Sequence, residues 1–408
     1  MVDKSRGTYF FYVIMSLVIC MKKILLVIAI LLLLVGCTTE EKVDIDEMIN
    51  NMTLEEKIGQ MMIIYYKKGE VDSTLQSSLY NVKPGGFILF GENMTSYDKA
   101  LEMIKTIKSS NKIPMFISID EEGGRVQRLR DIKDRDMLYI PSMYHVGLMD
   151  DVDLTEKVGK VIGEELRVFG INMDFAPVID IFENEENEVI GKRSFGTTPE
   201  FVSKHGIALA KGLESTGVIP VYKHFPGHGN TSTDSHVDLP IVNKSKEELL
   251  KDDLIPFKKV IDNGAEVIMI GHLAVPSITG DNTPASLSKE VITDLLKNEL
   301  GYKGLVVTDA LDMGALSKNY TNEEIYVKAI NAGVDILLMP PSSKEALSLI
   351  KENVLNGNIS EERINESVKK ILTLKYDKIY KDYNNYLDSS YLGSKEHKEI
   401  IDKIPITE

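Results

Sequence analysis

From about residue 55 onward, short β-branched apolar runs alternate with longer stretches whose apolar positions recur at helical period. Residues 61–65, 86–90, 115–119, 172–175, 218–222, 267–270, 305–307 and 336–339 read as strands. Between them, 97–109, 153–168, 199–215, 246–263, 289–299 and 322–331 read as helices, and 344–354 and 360–379 as closing helices. Eight strand–helix units in one unbroken series predict an α/β fold of the (β/α)8 TIM-barrel type, in a single catalytic domain. An open doubly wound sheet is the competing arrangement.

Polar groups fall where a barrel would use them. Asp120 follows the third strand, Asp174 the fourth, Lys223-His224 the fifth, His272 the sixth and Asp309 the seventh. In a barrel all of these lie at the C-terminal mouth, where catalytic side chains collect. No repeat, linker or low-complexity run divides the chain. The expected organisation is a barrel over 45–385 followed by a tail over 386–408.

The N-terminus changes the picture of location. Met21-Lys22-Lys23 precedes the apolar run 24–33 and then Leu34-Val35-Gly36-Cys37, a pattern that resembles the lipobox of bacterial lipoproteins. The reading is a signal peptide over 1–36 with Met21 as the expected true start, a lipidated Cys37 and a polar tether over 37–44. The run is short for a retained membrane span, which needs about 18 apolar residues. The expected location is therefore the outer face of a bacterial membrane, held by acyl groups. Cys20, the one other cysteine, would leave with the signal, so no intramolecular disulfide is expected. The formal charge of −15 becomes −18 once residues 1–36 are removed, which argues against nucleic acid as a partner.

Candidate chemistry concentrates in Lys223-His224-Phe225-Pro226-Gly227-His228-Gly229 and the Asp234-Ser235-His236 that follows; three of the seven histidines lie here. Two glycines and a proline keep this stretch from becoming helix or strand. A spacing of two lets Asp234 hold one nitrogen of His236 and leave the other for a substrate, the orienter-and-base half of a catalytic triad. Histidines bonded to backbone in a glycine turn are the bland alternative. A metal bound by His224, His228 and His236 is a third, disfavoured because Pro226-Gly227 breaks the helix that would align them and no cysteine is near. Asp309 ends the apolar strand Leu305-Val306-Val307-Thr308, with a helix N-cap as its alternative role; Asp312 should already have left the strand end. Asp120-Glu121-Glu122-Gly123-Gly124-Arg125 has the same strand-then-carboxylate layout, with Arg125 read as an internal salt-bridge partner.

Taken in order, Asp120 to Arg125, Arg193-Ser194-Phe195, the Lys223 to Gly229 motif with Asp234-Ser235-His236, and Thr308-Asp309 resemble glycoside hydrolase family 3 over roughly residues 45 to 380. The Asp-Ser-His ending matches its β-N-acetylglucosaminidase branch. The resemblance implies Asp309 as nucleophile, His236 as acid/base, Asp234 as its partner, and sugar-binding positions at Asp120, Arg128, Arg193, Lys223 and His224. It implies no metal or other cofactor and a β-GlcNAc saccharide as substrate. Many relatives carry a second domain, whereas this chain ends soon after the barrel. A histidine acid/base near pKa ~6.5 can donate a proton in one step and accept one in the next. Because His236 rides on a glycine-containing loop, the loop is expected to order over bound sugar. A phosphorolytic enzyme or a β-glucosidase of the same family, and a muropeptide-binding lipoprotein without catalysis, are the competing functions.

Overall fold

The structure, a computed structural model, describes residues 15–25, 43–184, 186–229, 231 and 238–406. Cys37, Asp234 and His236 fall outside these residues. The chain divides into residues 1–44 and a unit over Ile45–Glu408. In the first, residues 15–25 are helical with exposed side chains, Cys20 among them.

Among the described residues of the larger unit, eight parallel strands close on themselves: β1 Met62–Ile64, β2 Gly86–Leu89, β3 Phe116–Ile119, β4 Met173–Asp174, β5 in two pieces, Ile219–Pro220 and Tyr222–Phe225, β6 Val267–Ile270, β7 Leu305–Thr308 and β8 Leu337–Leu338. Each pairs with the next in sequence, as in Phe87↔Ile117 between β2 and β3 and Val306↔Ile268 between β7 and β6. The ring closes through a Val307↔Ile336 bridge and the pairing of Met62 with Leu337. The expected (β/α)8 barrel is the observed one. Every strand residue except a single partly buried one in the hairpin after β3 is buried, as parallel strands covered by helices must be.

The break in β5 has a local cause. Successive N–H groups of a strand point to opposite neighbours; Ile219 and Val221 donate to Asn172 and Asp174 of the β4 side. Pro220 faces β6 without an N–H to give, so pairing with β6 begins only at Tyr222. The second piece then shifts register between Tyr222 and Phe225, where the Lys223–His224 and Phe225–Pro226 peptide bonds are cis.

Helices fall where the periodicity places them, Tyr97–Ser109, Val152–Val168 and Pro199–Glu214 among them. Two differ in kind. The stretch 246–263 forms two helices, Lys246–Lys251 and Leu254–Asp262. Pro256 needs a place in a first turn, and Asp253 turns inward to Lys244 at 2.6 Å. The stretch Glu290–Glu299 is wound with π geometry, its last turn closed from Leu300 N to Leu295 O at 2.9 Å.

The segment after Ile379 packs back on the barrel. Arg167 donates to the carbonyls of Asp382 and Asn385, and Tyr383 Oη accepts from Met115 N at 3.0 Å. A last helix, Lys395–Ile401, buries His397 between Glu164 and Glu165.

Candidate active site

The C-terminal ends of the strands surround a cavity of about 590 Å³ lined by Asp120, Glu122, Arg128, Lys223, His224 and Asp309 among others. This is a size for a few sugar units at most.

Each side chain arrives by a short route from its strand. Asp120 directly follows β3, and Lys223 and His224 lie in the second piece of β5. Lys223 Nζ sits 2.8 Å from Asp120 Oδ1 and 2.5 Å from Glu122 Oε1. Arg193 takes the same Glu122 with both prongs of its guanidinium, Nε at 2.7 Å and Nη2 at 2.8 Å. Burial alone would raise the Glu122 carboxyl, but Arg193 and Lys223 outweigh it and hold the group well below the usual range. Burial would likewise strip the proton from Lys223, and Asp120 and Glu122 reverse that, so its ammonium is firmly charged. The result is a buried, mutually satisfied lattice of two carboxylates and two cations, with Asp120 still partly open to the cavity.

Arg128 crosses the ring of Phe90 at 5.4 Å. Its Nε is buried and, among the described residues, has no hydrogen-bond partner. Such an orphaned donor on a cavity wall is suited to a ligand oxygen. Arg125 instead donates to the main-chain carbonyls of Glu188 and Val189, shaping the loop that forms one rim.

His224 is oriented by a residue that sequence reading did not single out. Asp180 is fully buried, and its Oδ2 lies 2.7 Å from His224 Nδ1. Its Oδ1 accepts from His228 N at 2.7 Å, so one carboxylate organises the whole turn. Burial opposes ionisation of Asp180, and His224 and His228 override it. The tie at Nδ1 leaves His224 Nε2 for a ligand. Ser194 Oγ donates to the Asp180 carbonyl at 2.6 Å, which gives the Arg193-Ser194-Phe195 motif a physical job. Gly227 has φ of 128°, open to glycine and strained for other residues. A Cβ on Gly229 would lie 1.6 Å from the Ile181 carbonyl oxygen, so the loop can pass here only as glycine.

Asp309 stands at the end of β7. Its Oδ1 accepts from the following amide, Ala310 N, at 2.8 Å. The next helix, Gly314–Ser317, begins only after Met313, so Asp309 is not its N-cap. Burial would raise its carboxyl; His224, His272, the Ala310 amide and Lys223 together hold it below the ordinary range. The Asp309 carboxylate is therefore ionised on the cavity wall. Asp312 is exposed and does not line the cavity.

Two strand-end residues expected at the mouth are not in it. Asp174 is fully buried behind β3, where Oδ1 accepts from Glu121 N at 2.9 Å, and burial drives its carboxyl well above the usual range. His272 is also fully buried; Nε2 lies 3.0 Å from the Ala310 carbonyl and Nδ1 2.8 Å from Ser286 Oγ. Burial lowers its pKa, and the ring braces the turn carrying Asp309 through the Ala310 carbonyl. Neither side chain lines the cavity.

Among the described residues no group of three or more His, Cys, Asp or Glu side chains could hold a metal ion. His228, a member of the metal alternative, has Nδ1 2.8 Å from Thr231 Oγ1. Glu122 and Asp180 are the site residues missed in the sequence. Glu122 stood inside a quoted motif, but nothing in its spacing shows that it pairs with Arg193 across 71 positions.

Comparison with known proteins agrees with this geometry. Residues 53–374 match the glycosyl hydrolase family 3 N-terminal domain. "Beta-hexosaminidase A" of Pseudoalteromonas piscicida is 32% identical over 345 residues, 78% of this chain; the chain spans only 57% of that protein's length. "Beta-hexosaminidase LpqI" of Mycobacterium tuberculosis is 32% identical over 329 residues, covering 78% of this chain and 82% of that protein. A solved family 3 β-N-acetylglucosaminidase from Paenibacillus sp. str. FPU-7 superposes with a TM-score of 0.81 at 36% identity, covering 86% of this chain and 68% of the other. On fold, motif order and extent of match, this chain belongs to glycoside hydrolase family 3.

Proposed function

We propose that the protein is a retaining exo-β-N-acetylglucosaminidase that removes terminal β-linked GlcNAc from peptidoglycan-derived or chitooligosaccharide substrates. The observation that carries this is Asp309: an ionised carboxylate on the cavity wall, one oxygen fixed by the Ala310 amide at 2.8 Å, beside Lys223 and His224. The names of the relatives support the choice of sugar.

In the first step the Asp309 carboxylate attacks the anomeric carbon while a protonated histidine donates to the departing oxygen. In the second, the neutral histidine takes a proton from water, which attacks the same carbon and frees Asp309. His236, held by Asp234, is assigned to the proton, and Asp120, Arg128, Lys223 and His224 to the sugar hydroxyls. Arg193 acts through Glu122. His224 is a second candidate for the proton, because its ring already lies on the cavity with Nδ1 held by Asp180.

The assay compares 4-nitrophenyl β-GlcNAc and β-glucoside with wild type, Asp309→Ala, His236→Ala and His224→Ala. Release from the GlcNAc substrate, lost in Asp309→Ala by roughly 10³-fold or more, is expected. The variant lacking the acid should lose far more activity on a glycoside with a poor leaving group than on the nitrophenyl substrate, which separates the two histidines. A 2-fluoro sugar that turns over without labelling Asp309 would overturn the covalent route. Sugar 1-phosphate formed in phosphate buffer would reassign the enzyme as a phosphorylase, and binding without release would make it a capture protein. Location at the membrane surface through Cys37 is part of the same reading; labelled acyl chains should enter the wild type and not Cys37→Ser.

A further inference from the structure

The barrel has a second cavity, of about 650 Å³, at the end opposite the mouth. The helix Tyr97–Ser109 runs back from β2 to the start of β3, so its last turn and Pro114 stand where β3 begins, while Asp120 stands where it finishes. Lys105, Lys108, Lys112 and Lys381 line this cavity together with Tyr380, Tyr383 and Tyr386, and Lys105 Nζ lies 5.6 Å from the Tyr386 ring. The first three lysines lie three and four residues apart on one helical face and its extension, and the tyrosines recur every third residue.

The charge here runs against the rest of the molecule. The chain carries a net charge of −15, and Lys99, at the other end of the same helix, meets Glu70 at 3.2 Å. Among the described residues, Lys105, Lys108 and Lys112 have no carboxylate in ion-pair distance. Lys108 is buried, 4% exposed, and its ammonium meets the carbonyls of Gly170 and Tyr383 and the rings of Tyr383 and Tyr386 at 4.4 and 4.5 Å. Arg167 stands close enough that its charge, after burial, helps push Lys108 down to about 7. The nearby carboxylate of Asp382 is taken by Asn385 Nδ2 at 2.6 Å. A buried ammonium beside a second cation is costly unless an anion completes it. Tyr380 is 50% exposed, its ring tilted by 30° against that of Tyr376 at 4.7 Å, an apolar face with a hydroxyl edge.

We propose that this cavity binds a phosphorylated sugar, its phosphate held by Lys105, Lys108 and Lys112 and its ring laid on Tyr380. Lysines present point charges suited to a phosphate that must fit beside a ring, and neutral polar edges from Ser109, Asn111 and Asn384 suit sugar hydroxyls. The volume admits one or two sugar units.

Calorimetric titration of GlcNAc 6-phosphate into the full chain tests this, with excess GlcNAc present to fill the mouth. Binding is expected to weaken roughly tenfold or more in Lys105→Glu/Lys112→Glu, and less steeply in Tyr380→Ala. These side chains are exposed, so nitrophenyl-GlcNAc release should match the wild type and report an intact fold. No binding at millimolar concentration, or equal binding by all three proteins, would overturn the site. Inorganic phosphate binding as tightly as the sugar phosphate would remove the sugar from the proposal. Sedimentation with phosphatidylglycerol vesicles that the double variant loses, without sugar phosphate binding, would assign the lysines to a lipid headgroup and overturn it too.

Discussion

Glu121 and Glu122 are neighbours in sequence and opposites in charge state. Glu122 is ionised between Arg193 and Lys223, whereas Glu121, buried with Leu129 N on one oxygen, is pushed up to about 8. Replacing Glu122 with Gln leaves two buried cations sharing Asp120 alone, and unfolding in urea should show a loss of about 3–5 kcal/mol together with most of the activity. Glu121→Gln should do little below about pH 4.5, where the carboxyl is protonated in the native and the unfolded chain alike, since amide and protonated acid are alike in shape. The native state keeps a proton on Glu121 that the unfolded chain releases near pH 4.5, so stability falls as pH rises from there to about 8. Thermal melts across that range should be flatter in Glu121→Gln, and the variant should gain on the wild type from about pH 4.5 up to about pH 8. Equal slopes would mean that Glu121 is ionised in the native protein.

At the scale of elements, the loop after β5 is the piece whose shape the function needs most. It is anchored by Asp180 and passes under the Ile181 carbonyl at Gly229. Gly229→Ala should lift the loop from residue 228 onward, since the obstructing atom is backbone and cannot swing away. The expected result is a large fall in nitrophenyl-GlcNAc turnover with secondary structure unchanged by circular dichroism; full activity would show that the loop's path is not needed. The eight strands and most helices of this barrel are readable in the chain because their signals are local periodicities. The breaks are not. The two-part strand at Pro220 depends on which neighbour its missing N–H would have faced, and neighbours are set by the sheet; the split near Pro256 goes with the inward turn of Asp253 to Lys244.

Across the whole molecule, the C-terminal segment is tied to the helix Val152–Val168 through Arg167, Glu164 and Glu165. Burial would lower the pKa of His397, but the two glutamates overcome this and raise it. Its contribution to stability is therefore complete below about pH 6.5, the unfolded value, and is lost as pH rises through the higher native one. Amides of Lys395–Ile401 should exchange faster with rising pH beyond the intrinsic base effect, and His397→Gln should remove that excess. An unchanged excess would show that His397 does not hold this helix. Periodicity shows a helix here poorly, because seven residues make barely two turns.

The amino-acid sequence by itself determined the class of fold, the order of the strands and the cluster of residues Asp120, Lys223, His224 and Asp309, because strand ends in a closed parallel barrel must converge on one face. It also carries the motifs that place the chain in its family. Only the tertiary structure decided that Glu122 binds Arg193 and Lys223, that Asp180 orients His224, that Asp174 and His272 are packed away from the mouth, and that lysines and tyrosines about 275 residues apart share a cavity. These are pairings between distant positions and choices of strand face. Local pattern has no term for either, since both follow from where the barrel brings its neighbours.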